Sequence, residues 1–251
     1  MRHSSVQQDK TIDIEEQISN PIQWPAPEFC QILDLKSCHY DDVLRLIKHH
    51  FISNDPMFKA VDFSKDAVSV MNYLDFVRIW MKDSLSLVAL SSKSGRIIGA
   101  VIMRLNNSLE KSNTYSRMRI FQGEALEKVI NLQNTIVKQI NAYEKLGCDM
   151  TLRIYIICVH ESYQSKGLES ILLENCIRMA ITSKILAVVG IFTSTDSQKL
   201  AEKYNFKVLN EIHYGRWIVD DEIVFINPGM GNYSVAFMGT LTSAVDYLIE
   251  S

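Results

Sequence analysis

The chain of 251 residues is 47% hydrophobic, enough to build one large α/β domain or two small ones. Its formal net charge of -3 argues against a general nucleic-acid-binding protein, which normally carries a strong basic excess. The apolar run from Ile185 to Phe192 is far shorter than the roughly 20 residues that span a bilayer, so no membrane segment is predicted.

The cysteines and the first residues indicate a cytoplasmic protein. Five is an odd number of cysteines and none shows Cys-x-x-Cys spacing, a pattern typical of reduced thiols inside a cell. Residues 1–8 lack the apolar core of a secretory signal peptide. No feature of the sequence sets the oligomeric state, and a monomer is the default expectation.

The N-terminal region is predicted to lie outside the folded core. Residues 1–28 are polar and then carry prolines at positions 21, 25 and 27, which disfavours regular structure. We therefore predict a flexible arm over residues 1–28 and a single domain over residues 29–251. The first strand of that domain is predicted from Phe29 to Leu35.

Two amphipathic helices are predicted after the first strand. Ser37 can cap a helix whose apolar residues recur at helical spacing and which ends before Pro56. Ser64 is predicted to cap a second helix that runs to about Met81.

A hairpin and a long helix are predicted for the middle of the chain. The strands Leu85–Leu90 and Ile97–Leu105 are joined by a polar, glycine-containing loop, which predicts antiparallel pairing. The segment from Asn106 to Gly123 shows no clear period and is predicted to be a loop. Apolar residues from Leu126 onward predict one helix that stops near Gly147.

A strand, a tight turn and a helix form the centre of the predicted fold. Residues Leu152–Val159 favour a buried strand, His160–Lys166 turns the chain, and apolar residues recur at helical spacing from Gly167. The first turn of a helix has unpaired N–H groups and the positive end of the peptide dipole, so this turn can bind a diphosphate. An ordinary strand-to-helix connection is the alternative.

The remaining elements complete a mixed sheet. Strands are predicted at Ile185–Thr193, Lys207–Trp217, Glu222–Ile226 and Tyr233–Gly239, with a short helix at Ser197–Tyr204. The element order predicts an α/β protein with a central mixed, mostly antiparallel, twisted sheet and helices on both faces.

The central turn resembles the acetyl-CoA pyrophosphate loop of the GNAT acyltransferases. In that family Arg or Gln is followed by two residues, Gly, one residue, and then Gly or Ala. Gln164 and Gly167 match, whereas Glu169 stands where the family has a small residue, and its carboxylate must point outward or weaken coenzyme binding. The coenzyme-binding residues that the resemblance implies are Ile157, Cys158, Val159, Gln164, Ser165, Lys166, Gly167, Leu168, Glu169 and Ser170.

Three further landmarks extend the resemblance over most of the chain, and it is greatest to the insect arylalkylamine N-acetyltransferases. Phe51–Pro56 is similar to a segment whose acidic residue, usually Glu and held to be the general base, precedes proline; here it is Asp55. Thr193 and Ser197 keep hydroxyls where relatives have two serines four residues apart. The third landmark, Tyr214–Trp217, is similar to an aromatic-containing turn before the final strands.

The resemblance implies an N-acyltransferase that moves an acetyl or longer acyl group from acyl-CoA to a primary amine, with an arylalkylamine favoured. An alkylamine is almost wholly protonated at neutral pH, so direct attack in a ternary complex needs a base. Asp55 is the predicted base, and Thr193 and Ser197 are the other predicted catalytic residues. The alternative is that Asp55 and Pro56 only initiate a turn.

Aromatic side chains are predicted to line the amine pocket. Phe51, Tyr214 and Trp217 would suit an arylalkyl group or a cation, although such residues also serve as ordinary core. Polyamine or agmatine acetylation, and a degenerate acyl-CoA-binding protein without turnover, remain as alternative functions. The histidines show no metal-ligand spacing, and neither a metal nor a nucleic-acid partner is expected.

Overall fold

The computed structural model describes residues 22–82, 85–108 and 122–245. The helices are α1 (Tyr40–Leu46), α2 (Pro56–Ala60), α3 (Ala67–Met81), α4 (Glu124–Lys138), α5 (Ala142–Leu146), α6 (Leu168–Thr182) and α7 (Thr195–Lys203). The strands are β1 (Gln23–Trp24), β2 (Cys30–Asp34), β3 (Leu87–Ser91), β4 (Ile97–Asn107), β5 (Met150–Val159), β6 (Ala187–Phe192), β7 (Lys207–His213), β8 (Ile218–Val219), β9 (Glu222–Ile223) and β10 (Ser234–Leu241).

Eight of these strands form one sheet in the order β1-β2-β3-β4-β5-β6-β10-β7, and β8 and β9 form a separate ribbon. Within the sheet every neighbouring pair is antiparallel except β5 and β6, which are parallel. The predicted mixed, mostly antiparallel sheet is therefore confirmed. No helix of the described chain combines the length and apolar character needed to cross a membrane.

The parallel pair β5 and β6 separates part-way along its length. Pairing begins at Leu152 with Val188 and ends at Ile154 with Gly190. Beyond that point β5 remains paired with β4, and β6 remains paired with β10. One main-chain edge of β5 from Tyr155 to Val159 therefore faces a gap in the sheet.

Helices cover both faces of the sheet, as predicted. On α6, the fully buried Leu168, Leu172 and Cys176 recur every fourth residue, so one apolar stripe faces the strands. Helices α1 to α4 bury a larger cluster on the other face, which includes Val43 and Phe58. Complete burial of each large apolar side chain contributes about 1.5–3 kcal/mol, so these stripes fix the helices on the sheet.

The predicted cap at Ser64 is wrong. Ser64 lies in a short 3₁₀ turn, and Asp66 caps α3 by accepting a hydrogen bond from the Ser69 amide at 3.0 Å. Asp66 also accepts one from the Ala125 amide at the start of α4, at 3.2 Å. That contact joins segments 59 residues apart, and local sequence cannot reveal it.

The single helix predicted from Leu126 to Gly147 is two helices. The first, α4, ends at Lys138, and Asn141 then caps α5 by accepting a hydrogen bond from the Glu144 amide at 3.3 Å. Asparagine is a strong N-cap because its short side chain competes for main-chain amides, and this competition breaks the helix. Gly147 ends α5 in the left-handed conformation, at φ 62°.

Other boundaries also differ from the sequence prediction. The strand expected to reach Trp217 ends at His213 because a 3₁₀ turn follows, and the strand expected at Glu222–Ile226 has only two residues. Asn106 and Asn107 extend β4, while positions 109–121 of the predicted loop lie outside the described residues. Within the predicted arm, Gln23–Trp24 pairs with β2; the rest of the arm up to residue 21 also lies outside them.

Candidate active site

Asp55 is held in place by its role at the start of α2. Its Oδ1 accepts hydrogen bonds from the amides of Met57 at 2.9 Å and Phe58 at 3.2 Å. Pro56 occupies the first helical position, where a missing N–H is harmless and the fixed φ favours the helix. The Asp-Pro pair thus does initiate local structure, and that structure fixes the carboxyl group.

The other oxygen of Asp55 meets a residue far away in the sequence. Thr193 directly follows β6, and its Oγ1 donates to Asp55 Oδ2 at 2.5 Å. The Tyr214 hydroxyl donates to the Thr193 carbonyl at 2.7 Å. Three residues predicted for the site from separate landmarks therefore form one hydrogen-bonded group.

Burial determines the protonation behaviour of Asp55. Its side chain is only 8% exposed, and desolvation raises the carboxyl pKa from 3.8 to about 6, although the bonds from Thr193, Phe58 and Met57 favour the charged form. A carboxyl group that titrates near neutral pH can accept a proton efficiently there. Burial first, and then the Asp55 charge, raises the pKa of Tyr214, so that hydroxyl stays protonated.

Asp55 lies across the mouth of the gap between β5 and β6. The π-helical turn that precedes it, Ile47–Phe51, rests on the end of β5: the His50 and His160 ring centroids are 4.2 Å apart. On the other side, Asp55 contacts Thr193 after β6. Asp55 consequently lies near the ends of β5 and β6, beyond the last paired residues of the two strands.

The turn after β5 begins at the end of the strand that borders the same gap. His160 caps this 3₁₀ turn by accepting a hydrogen bond on Nδ1 from the Ser162 amide at 3.2 Å. Gly167 adopts φ 73° with open space around its Cα, and α6 begins at the next residue. Leu168 is fully buried, so only its main chain can serve a ligand.

Polar side chains around this turn have defined partners. The Lys166 ammonium lies 4.5 Å from the centroid of the Tyr163 ring and 5.6 Å from that of Phe29. The Ser170 hydroxyl is 2.9 Å from that of Tyr204. The predicted residues Gln164 and Ser165 are exposed.

Glu169 is the departure from the family pattern, and it does not point to open solvent. It is partly buried, and burial and then the neighbouring Asp196 raise its pKa. Its charge also reaches Cys158 on β5, whose thiol pKa is raised mainly by burial. Glu169 therefore lies between β5 and α7. Sequence reasoning missed Asp196, although Ser194-Thr195-Asp196 is a recognisable helix start.

The other predicted residues have mainly structural contacts. The Ser197 hydroxyl completes a capping box with Ser194. Phe51 packs edge-on against Phe58, with centroids 5.3 Å apart, and Tyr214 is 1% exposed. Ile157 and Val159 pair with β4, and the Cys158 thiol points into the core toward the Leu46 carbonyl. The side chain of Trp217 packs against the same core.

Comparison with solved structures gives close matches in fold at low sequence identity. Arylalkylamine N-acetyltransferase 2 from Aedes aegypti superposes with a TM-score of 0.78 at 20% identity, over 85% of this chain and 99% of that one. A putative arylalkylamine N-acetyltransferase 7 from the same mosquito gives 0.78 at 19%, over 88% and 95%. Drosophila melanogaster polyamine N-acetyltransferase gives 0.71 at 15%, over 84% and 99%.

The chain has the GNAT fold. The resemblance noted in the sequence is therefore confirmed at the level of the fold. No protein-family model and no curated protein matches the sequence. In this GNAT fold the separation of β5 and β6, the turn before α6 and the buried Asp55 all lie around one gap. The described residues contain no group of three or more His, Cys, Asp or Glu side chains that could hold a metal ion.

Proposed function

We propose that the protein transfers an acyl group from acyl-CoA to the nitrogen of a primary amine. The observation that carries this proposal is the buried carboxyl of Asp55, which titrates near pH 6 at the mouth of the gap. A carboxylate that serves only as a surface cap has no need of such an environment. It is the environment that a general base requires when its substrate arrives as an ammonium ion.

The residues after β5 fit an acyl-CoA. The Ser170 and Ile171 amides bond to the Gly167 carbonyl, which leaves the Leu168 and Glu169 amides of α6 for a ligand. Gly167 leaves room for the close approach of a diphosphate. Gln164 and Lys166 add a polar and a cationic side chain, and the open edge of β5 can pair with the amides of a pantetheine arm. Bound acyl-CoA supplies the activated thioester. Among the predicted coenzyme-binding residues, Glu169 disfavours binding because its carboxylate has the same sign of charge as the diphosphate.

The chain's own residues supply the proton transfer. Asp55, ionised above about pH 6, takes the proton of the ammonium group directly or through one water molecule, which leaves a neutral nucleophile. Thr193 holds the carboxylate oxygen, and Tyr214 fixes the Thr193 main chain. The buried thiol of Cys158 has its pKa raised by burial, which is unfavourable for a covalent acyl intermediate.

An arylalkylamine is the favoured substrate class. Phe51 is partly exposed among aromatic side chains next to Asp55, which suits an aromatic ring on the amine. Two of the matched solved structures bear the name arylalkylamine N-acetyltransferase. A polyamine or agmatine is the competing amine class, since another matched structure is described as an enzyme that forms N-acetylagmatine.

Thiol release from acetyl-CoA with a panel of arylalkylamines and polyamines tests the proposal. Release that depends on an arylalkylamine and is lost in Asp55→Asn supports it, whereas release with polyamines alone would reassign the substrate. Coenzyme A binding without release for any amine would show an acyl-CoA-binding protein instead. The absence of both coenzyme A binding and thiol release would overturn the proposal.

A further inference from the structure

Glu169 occupies an unfavourable place for a carboxylate in this fold. It is the second residue of α6, where the helix dipole normally stabilises negative charge. Burial and then Asp196 nevertheless raise its pKa. No residue of the described chain donates a hydrogen bond to its carboxylate or forms an ion pair with it. Among the described residues, no contact of the Glu169 carboxylate accounts for a stabilising role of its charge.

The groups around Glu169 cannot neutralise it. Asp196 belongs to the first turn of α7 and is itself acidic, and the Cys158 thiol on β5 remains protonated because burial raises its pKa. Lys166 is the nearest cation in sequence, but its ammonium lies over the rings of Tyr163 and Phe29. A diphosphate at the start of α6 would therefore add negative charge beside an uncompensated carboxylate.

We propose that Glu169 is a specificity-determining residue that weakens the binding of a coenzyme diphosphate, so that coenzyme A binds together with a proton taken up by Glu169. This inference rests on the proposed function. It goes beyond it because it predicts a preference among acyl donors: a donor with a pantetheine arm but no diphosphate escapes the repulsion. Affinity for coenzyme A then increases as the pH falls, whereas affinity for pantetheine does not.

Equilibrium binding, rather than turnover, provides the test. Coenzyme A, dephospho-coenzyme A and pantetheine are titrated by calorimetry into the wild type and into Glu169→Gln, which keeps the shape of the side chain and removes its charge. At pH 8 the variant is expected to bind coenzyme A and dephospho-coenzyme A about tenfold more tightly, equivalent to about 1.4 kcal/mol, with no change for pantetheine. Glu202→Gln on α7, an exposed carboxylate, is the charge-matched control.

Proton uptake is the second readout. Titrations in two buffers of different ionisation enthalpy give the number of protons bound with coenzyme A. The wild type is expected to take up more protons than Glu169→Gln, and its affinity to approach that of the variant toward acidic pH. Dephospho-coenzyme A serves here because it lacks the separately titrating 3′-phosphate.

The outcomes separate this inference from the proposed function. Equal affinity of the wild type and Glu169→Gln for coenzyme A, or an equal gain for pantetheine, would overturn the role of Glu169 even if the enzyme released thiol normally. Failure of all three ligands to bind either protein would overturn the proposed function itself. Thermal unfolding of the variant checks that it is folded.

Discussion

Asp55 and Asp66 both cap helices, but they differ in how deeply they are buried. Asp55 caps α2 and Asp66 caps α3, each by accepting hydrogen bonds from main-chain amides. Hydrogen bonds, led by that from the Ser69 side chain, lower the pKa of Asp66. Asp55 also accepts three hydrogen bonds, yet burial raises its pKa to about 6.

The difference shows that capping alone does not mark a functional carboxylate. Hydrogen bonds from amides favour the charged form wherever a cap is formed, so both caps share that effect. Of the two, only Asp55 is buried, and only Asp55 lies near the gap between β5 and β6. Desolvation, not hydrogen bonding, distinguishes the candidate base from the structural cap.

The largest expected effect is the loss of turnover in Asp55→Asn. Asparagine still accepts amide hydrogen bonds, so α2 keeps its cap, but it cannot take a proton. The value of kcat should fall by about 10²–10⁴-fold, whereas the melting temperature at neutral pH should not fall, because asparagine removes a buried charge. Steady-state kinetics and calorimetry on the same preparation would measure both. Unchanged turnover with the best amine would remove Asp55 from the mechanism.

The stability contributed by Asp55 should decrease as the pH rises. Its pKa of about 6 in the folded protein exceeds the ordinary value of 3.8, so the folded state holds the proton more tightly. The contribution is complete below about pH 4 and is lost through pH 6, a change of roughly 3 kcal/mol. Unfolding free energies of the wild type minus those of Asp55→Asn should fall by this amount between pH 4 and pH 7. A pH-independent difference would contradict the burial argument.

Asp66→Ala should affect stability without affecting chemistry. Asp66 holds the Ser69 amide, and its second oxygen accepts from the Ser69 hydroxyl at 2.6 Å and the Ala125 amide at 3.2 Å. Its loss should lower the free energy of unfolding by about 1–2 kcal/mol. Denaturant titration would measure this, and kcat in the folded protein should match the wild type. A large fall in kcat would show that Asp66 also affects catalysis and would contradict the distinction between the two caps.

The smallest expected effect is a shift in the pH profile of Thr193→Val. The Thr193 hydroxyl favours the ionised form of Asp55, so its removal should move the acid limb of the kcat profile upward by about one pH unit. Thr193→Ser keeps the hydroxyl and should restore the profile. An identical acid limb in the valine and serine variants would mean that Thr193 does not tune this carboxyl.

Local patterns predicted the elements that meet near the candidate site. The strand ending at Val159, the turn to Lys166 and the helix from Gly167 follow from β-branched residues, a glycine and helical spacing, and the structure confirms all three. The caps were less predictable. Ser64 and Asp66 are both good N-cap residues, and only the contact with Ala125 on α4 explains the choice.

The chemistry of the site depends on distances that the sequence does not contain. Asp55 and Thr193 are 138 residues apart, and their hydrogen bond requires that the end of β6 meets the start of α2. The resemblance named both residues but could not show the burial that raises the Asp55 pKa. It also left the direction of Glu169 open, because Asp196 on α7 reaches it only through the fold.

The π-helical turn Ile47–Phe51 determines how the segment that carries Asp55 is oriented relative to α1. The Ile52 amide bonds to the carbonyl of Ile47, five residues earlier, at 2.9 Å, so the turn holds one residue more than an α-helical turn. Deleting one residue there would restore ordinary winding and swing the following segment by about 100°. Asp55 would then leave Thr193 with every side chain of the site intact, so the catalytic geometry depends on chain length as well as composition. A substitution scan would miss this dependence, whereas a single-residue deletion would expose it.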